Sequence, residues 1–326
     1  MTAAASASVP HDGRRARLTA RVGGESGVGY VAVIAVTFLW GLGPLFVRGI
    51  DASPLTIAAW RNWLAVPIML VVAYLAKAPL AWRWMKAALA GGVAFTLAQT
   101  LGFASFQETS LANAVLIGAI SPVMIAVIAV PMFGEHLTRA QVALMAVSMT
   151  AVAVFVLSAG STSGASLKGD LLAVGSLLAQ TVYLLSVKRA RVEGVPAAAY
   201  IAGVFIIGGT LITPMAALWG TSFTSITGEE WGYLVALAVI VGCCGHGLMT
   251  WAQKHVNVGI ASVIILGTTV VSAVGGWIFF QQALTGVQIV AGLVVLATIA
   301  GILAIQIRQQ DDEIMLVDLA EPPFAD

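Results

Sequence analysis

Polar side chains interrupt the middle of several long apolar runs in this sequence of 326 residues. Gln99, Gln180 and His246 each lie there, and Tyr183 follows Gln180 by one turn of a predicted helix. A hydrogen bond between helices in an apolar environment averages only about 0.6 kcal/mol, so a role in holding helices together explains these residues poorly. We therefore predict that the four side chains line one cavity and bind a substrate there. Trp40 would add a flat apolar wall and one N–H donor, with simple packing as the alternative.

His246 is the titratable residue closest to the middle of an apolar run, and no Asp or Glu lies well inside any of these runs. The reference pKa of histidine is near 6.5, which makes His246 the candidate for taking up and releasing a proton during a working cycle. The alternative is a neutral imidazole that hydrogen-bonds a substrate or a backbone carbonyl, and we favour the substrate contact. Without a carboxylate at this depth, a strongly cationic ligand is disfavoured.

Three charged residues lie at or near the ends of the apolar runs. Arg61 lies inside the second run, where an unpaired charge is costly, so we expect it to pair with Glu108 in the next loop on the same side. The alternative is that Arg61 attracts a carboxylate or phosphate into a cavity. Glu135 precedes His136 and Arg139, which favours a local ion pair or a helix cap, with gating of one cavity mouth as the alternative.

The composition indicates an all-α integral membrane protein. Apolar residues make up 59% of the chain and charged residues 10%, and the mean hydropathy is +0.95, whereas soluble domains carry about 25% charged residues. The sequence contains no HExxH, Walker-type, GxSxG or CxxC motif, which argues against a protease, an ATP-driven pump or a metalloenzyme. We predict no enzyme activity, no cofactor, no metal and no nucleic-acid partner. The expected partners are the lipid bilayer and a small molecule.

Ten stretches are predicted to be membrane-spanning helices, since about 20 apolar residues cross a bilayer. Turn-forming and charged residues separate them. The predicted spans are 29–47, 56–76, 86–106, 112–132, 140–158, 169–187, 198–219, 230–253, 259–280 and 287–307. They form two five-helix units, 29–158 and 169–307, joined by an external linker at 159–168. A basic tail at 1–28 and an acidic tail at 308–326 are expected to be disordered on the cytoplasmic side.

The second unit is a diverged copy of the first. A shift of 147 positions carries Leu111 to Gln141 onto Val258 to Gln288 without a gap, and it carries Gln99 onto His246. With both termini cytoplasmic, all of the 16 Lys and Arg residues except Arg48, Lys168 and Arg61 lie on the inner side. Because each unit contains an odd number of spans, the second enters the membrane upside down, as in many secondary transporters.

Glycine and proline break three of the predicted spans. The breaks fall at Trp40-Gly-Leu-Gly-Pro44, at Ser121-Pro122, and at Gly267-Thr268-Thr269, which is the counterpart of Pro122. Broken helices at membrane depth are tolerated where protein or a water-filled cavity satisfies the freed backbone groups. We therefore add Ser121 and Thr268 to the predicted substrate site, although such breaks also occur where helices merely kink or pack.

Four short segments carry a family resemblance. Trp40-Gly41, Ser53-Pro54 with Ala59-Trp60-Arg61, Ser121-Pro122, and Gly134-Glu135-His136-Leu137-Thr138 resemble, in order and spacing, the EamA-like family of the drug/metabolite transporter superfamily. This resemblance implies two five-helix repeats around a central cavity, with the fifth and tenth helices peripheral. It also implies movement of amino acids or other small metabolites across the bacterial inner membrane, often outward. The second copy departs from the pattern with Thr269 in place of Pro122 and Gln281-Gln282 in place of Gly134-Glu135.

These features together predict a secondary active transporter. We expect an exporter of small polar metabolites such as amino acids, which works by alternating access at a site near the middle of the membrane, with proton coupling possible at His246. Within the same class, the alternatives are an importer of a vitamin, nucleoside or other small solute, and a flippase for a lipid-linked group. The alternative from another class is a membrane enzyme or sensor that uses the same fold.

Overall fold

The computed structural model describes residues 27–109, 117–158, 166–281 and 284–320. Within these ranges the chain forms ten helices and no strand, which confirms the predicted all-α fold. We number the helices in chain order: α1 Gly27–Arg48, α2 Pro54–Leu75, α3 Trp82–Glu108, α4 Ser121–Phe133, α5 Arg139–Leu157, α6 Leu167–Val192, α7 Ala197–Trp219, α8 Gly228–Ala252, α9 Val258–Phe279 and α10 Gly286–Ala320.

Eight of the described helices, α1, α2 and α5 to α10, are long and apolar enough to cross a membrane. Apolar side chains such as Val127, Leu171 and Leu293 are exposed on the outside of the bundle, where lipid would cover them. The chain is therefore a multi-pass membrane protein. Helix α3 has 27 residues but begins with a charged and aromatic turn, and the continuous helix of α4 has 13 residues.

Short polar side chains start several helices at the predicted turns. The Ser53 hydroxyl accepts the backbone N–H of Thr56 at 3.2 Å, at the start of α2. Ser166 does the same for α6, and the amide oxygen of Asn257 accepts the N–H of Ile260 at 3.1 Å, at the start of α9. Each cap satisfies a donor that the first turn of a helix leaves without a backbone acceptor.

The predicted duplication is visible in two identical helix caps. At the start of α5, the Thr138 N–H donates to Gln141 Oε1 at 2.9 Å, and the Gln141 N–H donates to Thr138 Oγ1 at 3.2 Å. Thr285 and Gln288 make the same pair of bonds, with the same lengths, before α10. Both are capping boxes, in which side chain and backbone satisfy each other's donors.

The residue that ends the helix before each of these caps has the same backbone conformation in both repeats. Gly134 ends α4 with a φ of 64°, and Gln281, its counterpart at a shift of 147, ends the α9 helix with a φ of 53°. A left-handed conformation is unfavourable for a residue with a side chain, so the second copy keeps the shape of the turn against the preference of its sequence. Gln282, the counterpart of Glu135, lies outside the described residues.

The two repeats are interlocked. Helix α2 packs against α7, α4 against the first part of α9, and α5 against α10, so these helices each contact their own counterpart, while α3 packs against α6 and α7. Contact between counterparts is expected where an inverted repeat has a two-fold axis in the membrane plane. Glycine permits the close approach: a Cβ at Gly92 of α3 would lie 2.7 Å from the Cβ of Ile207 in α7.

Three helices break at the predicted glycine and proline positions. Helix α1 has a turn at Leu42, α4 begins its continuous helix at Ser121, and α9 has a turn at Leu266 immediately before Gly267. The α1 break lies in the last third of the span. The cause is the position of Pro44, which lacks an N–H and can occupy only the first turn of the helical segment that follows the break.

The predicted boundaries of the C-terminal tail and of the linker differ from the structure. Residues 308–320, predicted as part of a disordered acidic tail, continue α10 as a helix. No Gly or Pro occurs between Gly301 and Pro322, so the sequence contains nothing that would end the helix near residue 308. Helix α6 begins at Leu167, inside the predicted linker. Residues 1–26 and 321–326 of the predicted tails, 159–165 of the linker and 112–116 of the fourth predicted span lie outside the described residues.

Candidate functional site

His246 lies at the end of an unusual helical stretch in α8. Residues Leu237–His246 form a π-helix, which is rare over more than one turn and frequent at functional sites. His246 is 8% exposed, and its Nδ1 lies 3.1 Å from the phenol oxygen of the buried Tyr183 in α6. This hydrogen bond joins α6 and α8, and it fixes the orientation of the imidazole ring.

Aromatic rings enclose His246 on several sides. The ring centroid of His246 lies 4.7 Å from that of Trp40, 5.1 Å from that of Phe95 and 6.2 Å from that of Phe205. A Cβ at Gly245 would lie 2.6 Å from Trp40 Nε1, so the glycine leaves the room that the indole occupies. We call His246, Tyr183 and these three aromatic residues the His246 cluster. It draws on α1, α3, α6, α7 and α8, and therefore on both repeats.

Arg61 of α2 adds a positive charge beside this cluster. Its side chain is buried, with 7% of the residue exposed, and its guanidinium carbon lies 5.6 Å from the centroid of the Phe95 ring. The Nε and Nη2 atoms of Arg61 have no hydrogen-bond partner in the part of the chain that the structure describes. A buried guanidinium with free donors is unusual, because buried charges are normally paired.

The expected ion pair between Arg61 and Glu108 is wrong. Glu108 accepts from Lys168 Nζ at 2.6 Å, at the start of α6, and that pair is largely exposed. The packing of α3 against α6 explains the difference, since it brings Lys168 next to Glu108 at the end of the bundle. Arg61 points instead towards the interior, where Phe95 and Tyr183 lie.

Two predicted glutamines lie on the adjacent helices α3 and α6. The hydroxyl of Ser176 in α6 donates to the carbonyl of Ala98 at 2.8 Å, and Gln99 directly follows Ala98. Gln180 lies one turn beyond Ser176 and is half-buried. Both polar atoms of the Gln99 amide are buried without a hydrogen-bond partner among the described residues. Gln99 and Gln180 therefore lie at neighbouring depths in the bundle. Gln99 also lies one helical turn after Phe95 in α3.

Ser121 and Thr268 are not brought into the His246 cluster by any contact among the described residues. Thr268 lies near the cluster. Gly41 directly follows Trp40, and a Cβ at Gly41 would be 3.3 Å from the carbonyl oxygen of Thr268. Ser272, one turn further along α9, donates to the carbonyl of Gly41 at 2.8 Å. Ser121 is half-buried at the first turn of the continuous α4 helix.

Glu135 contacts the other repeat rather than its own neighbours in sequence. Its carboxylate accepts the N–H of Val258 at 3.0 Å, at the start of α9, and lies 3.2 Å from Lys188 Nζ at the end of α6. Lys188 also donates to the carbonyl of Val256. The expected local pair with His136 and Arg139 is therefore replaced by a cap on α9, where an anion is favourable. We call this end of the bundle the Glu135 face.

The opposite end of the bundle, which we call the Glu108 face, is also connected across the repeats. The backbone N–H of Asp51 donates to the Glu230 carboxylate, and the backbone N–H of Ser53 donates to the Thr221 hydroxyl at 2.9 Å. The exposed pair between Glu108 and Lys168 lies at this end as well. Both ends of the bundle are thus held by hydrogen bonds and ion pairs between the two repeats.

Several important residues were missed by reasoning from the sequence. Phe95 lies one helical turn before Gln99, and that spacing could have identified it. Lys188 was assigned to a loop because the predicted span ended at Val187, whereas α6 extends to Val192. The π-helix has no signal in the sequence that we can identify. Within the described residues, no group of three or more His, Cys, Asp or Glu side chains could hold a metal ion.

Comparisons with known proteins agree with this architecture. The family profile described as "EamA-like transporter family" matches residues 27–157 and 167–304, one match for each repeat. Among 29 matching chains of solved structures, one crystal structure covers 87% of this chain and 98% of its own, with a TM-score of 0.74 and 19% identity. At that identity the likeness shows the fold alone. No curated protein matches the sequence.

Proposed function

This chain belongs to the EamA-like transporter family, and we propose that it is a secondary active transporter that exports small polar metabolites such as amino acids. The proposed mechanism is alternating access, in which the two inverted repeats open a shared site first to one side and then to the other. We place the protein in the bacterial inner membrane with both termini in the cytoplasm. The distribution of Lys and Arg supports this orientation, because it leaves few positive charges outside.

Buried polar atoms without partners, gathered where both repeats meet, are the observation that carries the proposal. The Arg61 Nε and Nη2, the Gln99 amide and the Trp40 Nε1 have no hydrogen-bond partner in the described structure. Leaving a buried donor or acceptor unsatisfied costs about 1–3 kcal/mol. A solute that satisfies several of these groups would offset that cost, which favours a binding site over a packing core. His246 and Tyr183 would contact the solute from the second repeat.

The contacts at the two ends of the bundle support alternating access. Glu135 connects the repeats at one face, and the Asp51–Glu230 and Ser53–Thr221 hydrogen bonds connect them at the other. A solute can reach the His246 cluster from a given side only when the connections at that face separate. We propose that the two sets open in turn, and that the broken helices α1 and α9 provide the local freedom for this movement.

The flippase alternative requires an apolar lateral opening that leads to the site. An apolar groove of about 620 Å³ lies between α5 and α10, lined by residues such as Val147, Val154 and Val290. None of its lining residues belongs to α1, α2, α3, α6, α7 or α8, the helices that carry Arg61 and the His246 cluster. The groove therefore gives no support to a lipid path into the site, and we favour a soluble substrate.

Transport in sealed vesicles tests the proposal. The purified protein would be reconstituted, and exchange of labelled amino acids and other small polar metabolites would be followed across the membrane. We expect at least one solute to exchange faster than in protein-free vesicles, and we expect His246→Ala and Gln99→Ala to abolish most of that exchange. His136→Ala is the matched control, because His136 is exposed beyond the end of α4.

The controls separate the possible outcomes. Exchange that is lost in His246→Ala and Gln99→Ala but retained in His136→Ala supports the site. Exchange that survives both substitutions would mean that the substrate binds elsewhere in the bundle. The proposed function would be overturned if the folded wild-type protein moved no solute of a panel that spans amino acids, other carboxylates, vitamins and nucleosides.

A further inference from the structure

The two free donors of Arg61 lie on the same edge of its guanidinium group. In arginine, the N–H of Nε and one N–H of Nη2 are parallel and point the same way, and this edge matches the two oxygens of a carboxylate. Both of these nitrogens are buried and lack a partner in the part of the chain that is described. The structure therefore presents a complete bidentate donor edge in a region from which water is largely excluded.

The Phe95 ring supplies no oxygen acceptor for this edge. An aromatic ring attracts a cation through its π face, but it offers no lone pair to the N–H groups of a guanidinium. The 5.6 Å separation from the Phe95 ring therefore stabilises the charge without satisfying its donors.

Three of the described carboxylates have other partners at the ends of the bundle. Glu108 pairs with Lys168, Glu135 with Lys188, and Glu230 accepts from Thr227 and from the backbone of Asp51. In the membrane interior an uncompensated charge costs about 2.5–3.5 kcal/mol at a helix centre. An anion from outside the chain would satisfy Arg61 at this depth.

We propose that Arg61 binds the carboxylate of the transported solute, and that the substrates are monocarboxylates with an aromatic or apolar body. This inference rests on the proposed function, because it names the substrate class of the same site. One guanidinium balances one negative charge, which favours a carboxylate over a phosphate dianion. The rings of Trp40, Phe95 and Phe205 around His246 provide an apolar surface for the body of such a molecule.

Matched pairs of ligands test this proposal on the purified, full-length protein. Thermal unfolding would be measured with phenylacetate and phenylacetamide, with indole-3-acetate and indole-3-acetamide, and with phenyl phosphate. Each amide has the shape of its acid but no charge. We expect the acids to stabilise the wild-type protein and the amides and phenyl phosphate to have little effect. Titration would then give the affinity for each acid.

Variants of Arg61 identify the group responsible. We expect Arg61→Gln to weaken binding of the acids by about 10- to 100-fold, as for the loss of a charge-assisted hydrogen bond. Arg61→Lys should lose most of the affinity as well, because lysine keeps the charge but not the two parallel donors. Arg189→Gln is the matched control, since Arg189 is exposed and pairs with Glu193 at the end of α6.

Several results would overturn the inference. They are equal stabilisation by acid and amide, stabilisation by phenyl phosphate alone, the absence of stabilisation by any acid, and acid binding that is unchanged in Arg61→Gln. The proposed function is tested separately by the vesicle experiment. If a neutral solute exchanged and no acid bound, the transport function would stand and the carboxylate site would be ruled out. If acids bound through Arg61 but no solute exchanged, the carboxylate site would stand and the transport function would be ruled out.

Discussion

Two of the buried cations among the described residues, Lys188 and Arg61, have opposite surroundings. Lys188 is 8% exposed and contacts the Glu135 carboxylate and the Val256 carbonyl. Arg61 is 7% exposed, and two of its nitrogens have no partner among the described residues. Both residues lie where the two repeats meet. The first has every feature of a structural charge, and the second has the features of a site that is completed by a ligand.

The difference follows from position along the helix. Lys188 lies near the end of α6, where the turn after α4 supplies the Glu135 carboxylate and the segment before α9 supplies one backbone carbonyl. Arg61 lies two turns into α2, where most backbone groups are used by the hydrogen bonds of the helix itself. A charge at the second position therefore depends on side chains or on a bound molecule, and the Phe95 ring beside it offers no oxygen acceptor.

Removal of the Lys188 partner should have the largest effect on stability. We expect Glu135→Gln to lower the free energy of unfolding by about 3–5 kcal/mol, because it leaves a buried ammonium unpaired. It also weakens the cap on α9. Reversible unfolding in mixed micelles with increasing SDS measures the change. The double variant Glu135→Gln with Lys188→Met should recover most of the loss, and a loss below about 1 kcal/mol in the single variant would mean that the pair is not structural.

The equivalent change at Arg61 should not destabilise the protein. We expect Arg61→Met to leave the free energy of unfolding unchanged or to raise it by up to about 3 kcal/mol, because methionine fills similar space without a buried charge. The same SDS unfolding experiment, without added ligand, measures it. A loss of stability as large as that of Glu135→Gln would show that Arg61 has a structural partner, and the contrast between the two cations would then be false.

The helix caps provide a reference that involves no charge. Thr138→Ala and Thr285→Ala each remove the hydroxyl of a capping box with the same geometry. We expect both to lower the free energy of unfolding by about 1 kcal/mol, and by the same amount within error. Unequal losses would indicate that the two repeats differ in stability at this turn despite their equal hydrogen bonds.

The exposed ion pair at the Glu108 face should contribute least. The side chains of Lys168 and Glu108 are 71% and 40% exposed, so solvent and salt screen their attraction. We expect Glu108→Gln to change the free energy of unfolding by less than about 0.5 kcal/mol, and the change to vanish at high salt. A salt-independent loss of the size expected for Glu135→Gln would place Glu108 among the structural charges instead.

Much of the fold could be predicted from the sequence, because the membrane imposes simple rules. Apolar length predicts the helices, and glycine and proline predicted the breaks in α1, α4 and α9. The shift of 147 positions between the two halves of the sequence predicted a repeat, and the equal capping boxes at Thr138 and Thr285 confirm it. Residues 308–320 were wrongly predicted to be disordered, since charge alone was taken as the end of the helix.

The partners of individual charges could not be predicted in the same way. Arg61 was expected to pair with Glu108 because both belong to the same side of the membrane. The pairing depends, however, on which helices are neighbours in the bundle. The sequences of apolar helices carry little information about that. For the same reason, Glu135 was assigned to residues near it in sequence rather than to Lys188. The aromatic neighbours of His246 come from four different helices, and only their packing brings them together.

Counterflow of a carboxylate through reconstituted vesicles tests the central claim most directly. Vesicles loaded with unlabelled phenylacetate would be diluted into a trace of the labelled acid, with the wild-type protein, Arg61→Gln and Arg189→Gln compared at equal amounts of folded protein. We predict transient accumulation of label with the wild-type protein and with Arg189→Gln, and none with Arg61→Gln. Accumulation at the wild-type rate with Arg61→Gln would contradict the account, because the solute would then cross without the buried guanidinium.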